Sequence, residues 1–390
     1  MVASADLRRI YPILPADRAP RAVYIHVPFC IHRCGYCDFT LVAGQDELIP
    51  AYLSAMAAEL AQITAPCEVD TIFVGGGTPS QLSADQLQQL LSLVTDRFPL
   101  AAGGEFSLEA NPDGLDNDKL SAIHQAGVNR LSLGIQSFDQ STLSTLERQH
   151  SPEEAADVVT RADRLFGNLS ADLIFGVPGL SLATWQQTLE AAVRLPVRHL
   201  STYGLTFEKG TDFFRRQQAG QLQAVPDELE RQMYAEAMSR LPDAGFEHYE
   251  ISNFAQPGFT CRHNMVYWQA AECFAFGPGA ARYVDGIRST NARSVTRWLR
   301  AWSNGEPALQ DVEELTSEHR LREAVFLGLR RIGGIDLNDF QRRFAADPRE
   351  FAQQACDANL QHQLLEIVDD HLRLTAEGRF VADSVVLDFL

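Results

Sequence analysis

The sequence predicts an α/β protein, built as an open, partial TIM-like barrel with a smaller, mainly helical domain after it. Short apolar runs alternate with amphipathic helical segments over the first two thirds of the chain, which is the pattern of repeated β–α units. About seven such runs are present, one fewer than the eight strands that close a full barrel. After residue 290 the pattern changes to consecutive helices, which predicts a separate domain.

The first 251 residues supply the predicted barrel. Strands are predicted at residues 22–27, 70–74, 105–110, 129–135, 169–175, 198–205 and 248–251. Helices are predicted at residues 46–63, 84–97, 116–126, 153–165, 182–193 and 226–241. Because the functional sites of such folds gather at the carboxyl ends of the strands, residues that follow each strand are the first candidates for a site.

The remaining residues predict a winged-helix-like domain at 291–390. Helices are expected at 295–302, 316–329, 337–346 and 348–360, followed by a hairpin of residues 364–368 and 371–375. Winged domains often bind nucleic acid, but this segment has 12 arginines, no lysine and 17 acidic residues. We therefore expect a lid or a surface for a protein partner.

Several predicted strands end in residues that are unusual for simple connections. The segment Gly75-Gly76-Gly77-Thr78-Pro79 leaves the backbone open to a ligand, although a tight turn is the alternative. Glu109 and Gln136 end two apolar strands, where polar side chains more often bind ligand than fill the core. Asp172 lies within an apolar strand, so a hydrogen-bonded core carboxylate is an equal alternative there.

Three of the seven cysteines, Cys30, Cys34 and Cys37, fall within eight residues directly after the first predicted strand. A loop of this size can place three thiolates on one face of a [4Fe–4S] cluster. No fourth cysteine follows in register, so one iron would lack a protein ligand and would be open to chemistry. The other four cysteines are scattered and show no disulfide framework.

Other uses of these cysteines are less consistent with their spacing. Zinc could take the three thiolates with His26 or His32, but zinc sites usually pair one CxxC with a distant second pair. A redox CxxC at Cys34 to Cys37 leaves Cys30 unexplained. Attachment of c-type haem requires a histidine where Asp38 stands.

The cysteine spacing, together with Tyr24-x-His26-x-Pro28-Phe29-Cys30, resembles the radical S-adenosylmethionine (SAM) superfamily. It is similar to the branch that holds the oxygen-independent coproporphyrinogen III dehydrogenases and the HemW haem chaperones. The resemblance covers roughly residues 20 to 285 and also implies the partial barrel. It implies that SAM chelates the open iron and that the reduced cluster cleaves it to a 5′-deoxyadenosyl radical.

The resemblance also implies which residues contact SAM. In this branch the contacts come from the glycine loop, from a strand-end Glu and Gln, from an Arg twelve residues beyond that Gln, and from an Asp in an Asp-Leu-Ile-x-Gly-x-Pro run. The residues that the resemblance assigns to cofactor binding in this chain are Tyr24, Tyr36, Gly76, Gly77, Thr78, Glu109, Gln136, Arg148 and Asp172.

Two departures separate the chain from the coproporphyrinogen enzymes. Those enzymes carry a further cysteine two residues past the third ligand, where this chain has Phe39. They also have a longer N-terminal extension, whereas 29 residues precede Cys30 here. Both departures are features of HemW, and they put the decarboxylation activity in doubt.

A second motif, Cys261-Arg-His263-Asn264-Met-Val-Tyr267-Trp268, is similar to the H-N-x-x-Y-W of HemW. A neutral imidazole is a good axial ligand for haem iron, and the two aromatic side chains could contact a porphyrin face. The alternative is that His263 and Asn264 only satisfy the backbone of a loop while the aromatic rings pack in the core.

Composition limits the environment and the partners. The net charge is −18 and the only lysines are Lys119 and Lys209, which argues against a nucleic-acid partner. No apolar run approaches the ~18 residues that a membrane helix needs, and residues 1–20 lack the features of a secretory signal. We expect a cytoplasmic protein.

Taken together, the sequence predicts a barrel domain at 1–290 with cluster, SAM and haem sites, and a C-terminal domain at 291–390. The expected function is that of a HemW-type haem chaperone, with a haem-acceptor protein and an electron donor as partners and with no assigned catalytic residue. The alternative is a radical SAM coproporphyrinogen III dehydrogenase acting by oxidative decarboxylation. A zinc-stabilised binding module is the third hypothesis.

Overall fold

A computed structural model describes residues 10–12, 14, 15 and 18–390. Its centre is an open nine-stranded sheet with the strand order β11 (Phe274–Phe276), β1 (Ala22–Val27), β4 (Val69–Gly76), β5 (Leu100–Ala110), β6 (Arg130–Gln136), β7 (Leu169–Phe175), β8 (His199–Gly204), β10 (Asn253–Ala255) and β9 (Glu247–Glu250). The seven strands from β11 to β8 are parallel, and β10 and β9 form an antiparallel ribbon at one edge. The sheet has two free edges, which agrees with the predicted partial barrel.

The strands of this sheet are short and mostly buried, as befits parallel strands covered by helices. Two short strands, β2 (Phe29–Cys30) and β3 (Val42–Ala43), pair in parallel beside them and frame the cysteine loop.

Helices connect the parallel strands. They are α1 Ile49–Leu60, α2 Ala84–Arg97, α3 Asn117–Gln125, α4 Gln140–Thr145, α5 Pro152–Asp163, α6 Leu182–Val193, α7 Asp212–Gln218, α8 Asp227–Asp243 and α9 Arg262–Trp268. Side-chain caps fix several starts: Ser83 with Gln86 and Ser151 with Glu154 form capping boxes at α2 and α5. Ser181 likewise accepts the Thr184 N–H at the start of α6, and the predicted bounds of α2 and α6 agree with the structure.

The structure corrects the sequence prediction of the barrel in three places, and it adds a three-stranded sheet at residues 281–314 that the sequence does not predict. The seventh parallel strand is β11, which was not predicted, whereas predicted strand 248–251 forms antiparallel β9 at the far edge. Short helices α4 and α7 were also not predicted. The His263 segment, which we expected to be a loop, is helix α9. These segments are short, so hydrophobic periodicity could not identify them.

The C-terminal part begins with a three-stranded antiparallel sheet, β12 Ala281–Val284, β13 Ile287–Asn291 and β14 Leu309–Glu314. It continues with α10 Val295–Ser303, α11 Ser317–Gly328, β15 Ile335–Asp336, α12 Leu337–Phe344, α13 Pro348–Phe351, α14 Gln353–Gln361, β16 Leu365–Val368, β17 His371–Leu374, α15 Ala376–Phe380 and α16 Ala382–Leu387. The predicted hairpin is β16–β17, turned by Asp369 and Asp370 with positive φ.

Buried apolar side chains form two cores. The larger one belongs to the barrel and extends to Leu309, and the smaller one runs from Ala324 to Phe389. The predicted domain boundary at residue 290 falls within β13, and this strand pairs with β14 on the other side of the boundary. The division into two domains at this residue therefore stays a prediction. In the described part of the chain, no helix combines the length and apolar character needed to cross a membrane.

Candidate functional site

A cleft of about 1240 Å³ opens at the carboxyl ends of the parallel strands. The three cysteines of the loop line one part of it. Eight further predicted residues line the same cleft: Tyr36, Gly76, Gly77, Thr78, Glu109, Gln136, Arg148 and Asp172. Tyr24 and His263 are the predicted site residues that the structure does not place in its lining. The convergence follows from the parallel sheet, which brings successive strand ends to one edge.

The cysteine loop is anchored to the glycine loop through the backbone. Gly77 donates its N–H to the carbonyl of Val27 at 2.8 Å, and Thr78 donates to that of Phe29 at 2.7 Å. The Thr78 hydroxyl lies 3.2 Å from Cys30 Sγ. These contacts fix the position of the first cysteine against the end of β4.

One glycine of the triglycine sequence, Gly77, lies too close to its neighbours to carry a side chain. A Cβ atom at this position would lie 2.8 Å from the carbonyl oxygen of Phe29 and 3.1 Å from Cys30 Sγ. Both distances are too short for a side chain, and the nearer atom is backbone that cannot easily move. Glycine is therefore required for the two loops to approach each other, which goes beyond the needs of a tight turn.

Arg148 joins the second cysteine to the strand ends. Its Nη2 donates to Asn111 Oδ1 at 2.6 Å and to the Gly134 carbonyl at 2.9 Å, while Nη1 lies 4.0 Å from Cys34 Sγ. Asn111 in turn donates to Thr78 Oγ1 at 2.9 Å. A fixed positive charge thus lies beside a predicted iron-ligating sulfur.

Glu109 and Asp172 form the acidic part of the cleft. Burial, together with the nearby charge of Asp172, raises the pKa of Glu109 to about 7. Glu109 accepts the Gly76 N–H at 3.0 Å. Burial also raises the pKa of Asp172, which accepts hydrogen bonds from Ser132 at 3.1 Å and from Ser201 at 2.7 Å. Asp172 is therefore both a hydrogen-bonded carboxylate and part of the cleft wall.

Gln136 has a strained backbone at the end of β6. Its φ is +66°, in the left-handed region that non-glycine residues rarely adopt, and the pairing with β7 shifts register just before it. Such strain is concentrated at ligand sites because it aims a side chain that regular strand geometry would direct elsewhere. The side chain lines the cleft.

Glu147 and helix α7 hold the cysteine loop from outside, and sequence reasoning did not identify them. Glu147 Oε2 accepts the Gly35 N–H at 2.8 Å and lies 3.3 Å from His32 Nε2. Phe213 of α7 donates its N–H to the Gly35 carbonyl at 2.8 Å. The sequence gives one signal for Glu147, which is that it directly precedes Arg148, a predicted SAM-contacting residue.

The donor set fits an iron–sulfur cluster. Burial raises the pKa of the Cys30 thiol to about 11 and also raises the pKa of Cys37, and binding of a cluster would release these protons because a metal takes the deprotonated sulfur. Within the described residues, no three His, Cys, Asp or Glu side chains are grouped closely enough to hold a single metal ion.

Tyr24 is hydrogen-bonded to His26, which lies two residues farther along β1. Its hydroxyl lies 3.0 Å from His26 Nδ1, and His26 Nε2 donates to the Thr40 carbonyl at 2.7 Å. Burial lowers the pKa of His26 to about 4, so the ring is neutral and can both accept and donate. The pair connects β1 to the end of the cysteine loop, and a direct contact of Tyr24 with SAM stays a prediction.

His263 lies in helix α9, away from the cleft. The side chain is 1% exposed, and its Nδ1 and Nε2 are hydrogen-bonded to Thr71 Oγ1 at 2.9 Å and to the Tyr267 hydroxyl at 3.0 Å. Burial lowers its pKa to about 3. Haem ligation by His263 stays a prediction, and it requires one of these two hydrogen bonds to break.

Comparisons with known proteins show the family to which the chain belongs. Residues 24–192 match the model of the radical SAM superfamily, and residues 315–381 match that of the HemN C-terminal domain. The chain is 34% identical to "Heme chaperone HemW" of Bacillus subtilis, over 95% of this chain and 99% of that protein. It is 38% identical to the protein of the same name from Mycobacterium tuberculosis, over 97% of each chain.

The fold is also that of a solved radical SAM enzyme. Coproporphyrinogen III oxidase (HemN) from Escherichia coli superposes with a TM-score of 0.86 at 20% sequence identity, covering 100% of this chain and 93% of that one. At this identity the likeness shows the fold alone.

Proposed function

The chain belongs to the HemW family of radical SAM proteins, and we propose on this basis that it is a haem chaperone. In this proposal it holds a [4Fe–4S] cluster and SAM, binds haem, and passes the haem to an acceptor protein in the cytoplasm. The observation that carries the proposal is the near full-length identity to proteins named haem chaperones. The cleft supports it because three cysteines and the strand-end residues converge there.

The residues of the cleft divide into two groups by chemistry. Cys30, Cys34 and Cys37 are the proposed cluster ligands, and the cluster with SAM supplies redox chemistry when bound. Glu109 offers a carboxylate to a cationic group, and Arg148 fixes positive charge beside Cys34. Gln136 and Asp172 offer hydrogen-bonding groups elsewhere on the same wall.

The enzyme alternative has less support. Phe39 stands where the coproporphyrinogen enzymes are expected to have a further cysteine, and its side chain is 58% exposed beside the cleft. No side chain of the loop replaces that thiol. We therefore propose that the protein does not convert coproporphyrinogen III, and that an electron donor serves the cluster for another purpose.

The proposal is tested by anaerobic reconstitution with iron and sulfide, followed by titration with haem. We expect an absorbance near ~400 nm from thiolate-ligated iron, and then a Soret band as haem binds. A reconstituted protein that binds no haem would overturn the chaperone proposal. A protein that decarboxylates coproporphyrinogen III in the presence of SAM and a reductant would support the enzyme alternative.

The ligand assignment has its own test. Cys30→Ala, Cys34→Ala and Cys37→Ala are each expected to abolish the cluster absorbance. Cys261→Ala and Cys356→Ala are matched controls, since both thiols are buried far from the loop in sequence. Loss of the cluster in either control would show that the assignment is wrong.

A further inference from the structure

Glu147 has a backbone conformation that favours glycine. It follows helix α4 with a φ of +58°, in the left-handed region. Its N–H donates to the Ser144 carbonyl at 3.1 Å, and the Arg148 N–H donates to the Leu143 carbonyl at 2.9 Å. This is the Schellman arrangement that ends many helices, in which the left-handed residue is usually glycine. A residue with a Cβ atom is strained there by about 1–2 kcal/mol, and such strain persists only where the surroundings impose it.

The side chain of Glu147 joins the cysteine loop to helix α7. Its Oε2 accepts the Gly35 N–H at 2.8 Å and lies 3.3 Å from His32 Nε2. Its Oε1 lies 3.4 Å from Nη1 of Arg216, which belongs to α7. The side chain is 30% exposed, so water competes only in part for these contacts. The strained glutamate thus has a specific set of partners, and they include the backbone of the loop that carries the predicted cluster ligands.

Two consecutive residues of opposite charge approach the same cysteine. The Glu147 carbonyl oxygen lies 4.0 Å from Cys34 Sγ, and Arg148 Nη1 lies 4.0 Å from the same atom. The N–H group that the Glu147 carboxylate accepts, that of Gly35, is the amide directly after Cys34. Nearby charges and hydrogen bonds to the sulfur atoms set the reduction potential of an iron–sulfur cluster. Glu147 and Arg148 are therefore placed to act on that potential in opposite directions.

The carboxylate of Glu147 acts on the potential in two ways. Reduction of a cluster adds a negative charge, which a neighbouring carboxylate disfavours. An N–H group that donated to a sulfur atom would have the reverse effect, because it would stabilise the added charge. Glu147 keeps the Gly35 N–H engaged, so this donor is not available to sulfur. Both effects favour the oxidised state and lower the reduction potential.

We propose that Glu147 is a positioning residue that holds the cysteine loop through the Gly35 N–H and keeps the reduction potential of the bound cluster low. The inference rests on the proposed cluster-binding function and adds to it a residue that tunes the cluster. It also gives the strained conformation of Glu147 a reason, since glycine at this position would end α4 equally well but would supply no carboxylate.

The first measurement is a redox titration of the full-length, cluster-loaded protein with dithionite, followed through the ~400 nm absorbance. Glu147→Gly removes the carboxylate and relieves the left-handed strain, so the variant keeps its fold. We expect its potential to be more positive by at least about 59 mV, a tenfold change for one electron. Loss of the charge leaves Arg216 with one ion-pair partner fewer, which acts in the same direction. Glu147→Gln keeps an oxygen acceptor for Gly35 and should give a smaller shift of the same sign.

The second measurement is hydrogen exchange at the Gly35 amide in the cluster-free, full-length protein. Glu147→Gly should exchange at least about tenfold faster than the parent, because a hydrogen bond to a charged group is lost. Glu147→Gln should exchange at close to the parent rate, since its amide oxygen can accept the same N–H.

Gln363→Gly is the matched control. Gln363 also has a φ of +58°, and it is exposed between α14 and β16. This change should leave both the potential and the Gly35 exchange rate as in the parent. If the parent loads a cluster and Glu147→Gly changes neither measurement, or only one of them, the positioning proposal is wrong while the chaperone function stands. If the parent forms no cluster on reconstitution, both are wrong.

Discussion

Glu109 is the residue whose ionisation matters most in the cysteine cleft. Its pKa of about 7 results from burial and from the charge of Asp172, opposed by the hydrogen bond from Gly76. The carboxyl is therefore partly protonated at neutral pH. A small change in pH or the arrival of a cationic ligand shifts this equilibrium, so binding and stability respond to pH in opposite directions.

The binding of SAM is expected to strengthen as pH rises from 6 to 8. The reason is that Glu109 becomes a carboxylate over this range and can then pair with a cationic group of the ligand. Glu109→Gln should weaken binding about tenfold or more at pH 8, as one charge-assisted hydrogen bond is lost, and should flatten the pH profile. Calorimetric titration of the cluster-loaded protein measures both. An unchanged affinity in the variant would contradict the role of Glu109.

The free energy of unfolding should respond in the opposite sense. The carboxyl ionises near pH 4.5 in the unfolded chain and near 7 in the folded protein, so folding becomes less favourable as pH rises through this window. The contribution is at most about 3 kcal/mol, at 1.36 kcal/mol for each pH unit. Urea unfolding of the cluster-free protein at pH 5 and pH 8 should show a smaller pH effect in Glu109→Gln than in the parent.

At the scale of elements, the site depends on how closely the glycine loop, the cysteine loop and helix α7 approach one another. The glycine loop after β4 contacts the cysteine loop through Gly77, and helix α7 contacts the same loop through Phe213. Neither Gly77 nor Phe213 is a predicted ligand of the cluster. Each nevertheless sets where a ligand sulfur lies, and small displacements of such supports have large effects on a metal site.

Gly77→Ala is expected to reduce cluster loading while leaving the barrel folded. The new methyl group would collide with the Phe29 carbonyl and press against Cys30 Sγ, so the two loops must separate. Such overpacking typically lowers the free energy of unfolding by about 1–3 kcal/mol. Iron and sulfide content per chain measures the effect. Gly167→Ala is the matched control, because nothing lies within 4 Å of a Cβ at that position.

Phe213→Ala tests the support from α7. The Phe213 ring packs edge-on against Tyr36 of the cysteine loop, with ring centroids 6.0 Å apart, and the side chain is buried. Its removal should cost about 3–5 kcal/mol of local packing and make the cluster more sensitive to oxygen. The rate at which the ~400 nm absorbance bleaches in air is the measurement. A rate equal to that of the parent would show that α7 does not protect the loop.

At the scale of the molecule, one buried acid joins distant parts of the chain. Glu59 of α1 is fully buried and accepts hydrogen bonds from Tyr11 at 2.8 Å, the Gly277 N–H at 2.9 Å, Arg282 at 3.1 Å and Asn291 at 2.7 Å. It therefore ties the N-terminal segment and the β12–β13 sheet to the barrel edge.

Glu59→Ala is expected to lower the free energy of unfolding by about 3–5 kcal/mol, since it leaves the Arg282 charge buried without its partner. Glu190→Ala is the control, because the Glu190–Arg194 pair is exposed on α6 and such pairs contribute about 0–1 kcal/mol. Thermal and urea unfolding measure the difference. Equal effects of the two changes would show that the buried network does not stabilise the fold.

The sequence alone determined the architecture and the cleft. Alternating strands and helices predicted the barrel, and polar residues at strand ends predicted its site, because a parallel sheet brings those ends together. The three closely spaced cysteines predicted the cluster loop. Local caps at Ser83 and Ser181 explain why the predicted bounds of α2 and α6 agree with the structure.

Only the tertiary structure decided which contacts cross between distant segments. Strand β11 is recognised by its pairing with β1, since three residues carry no periodicity of their own. The sequence could not show that His263 is hydrogen-bonded to Thr71, or that Glu147 holds Gly35, because the two residues of each pair are more than 100 residues apart.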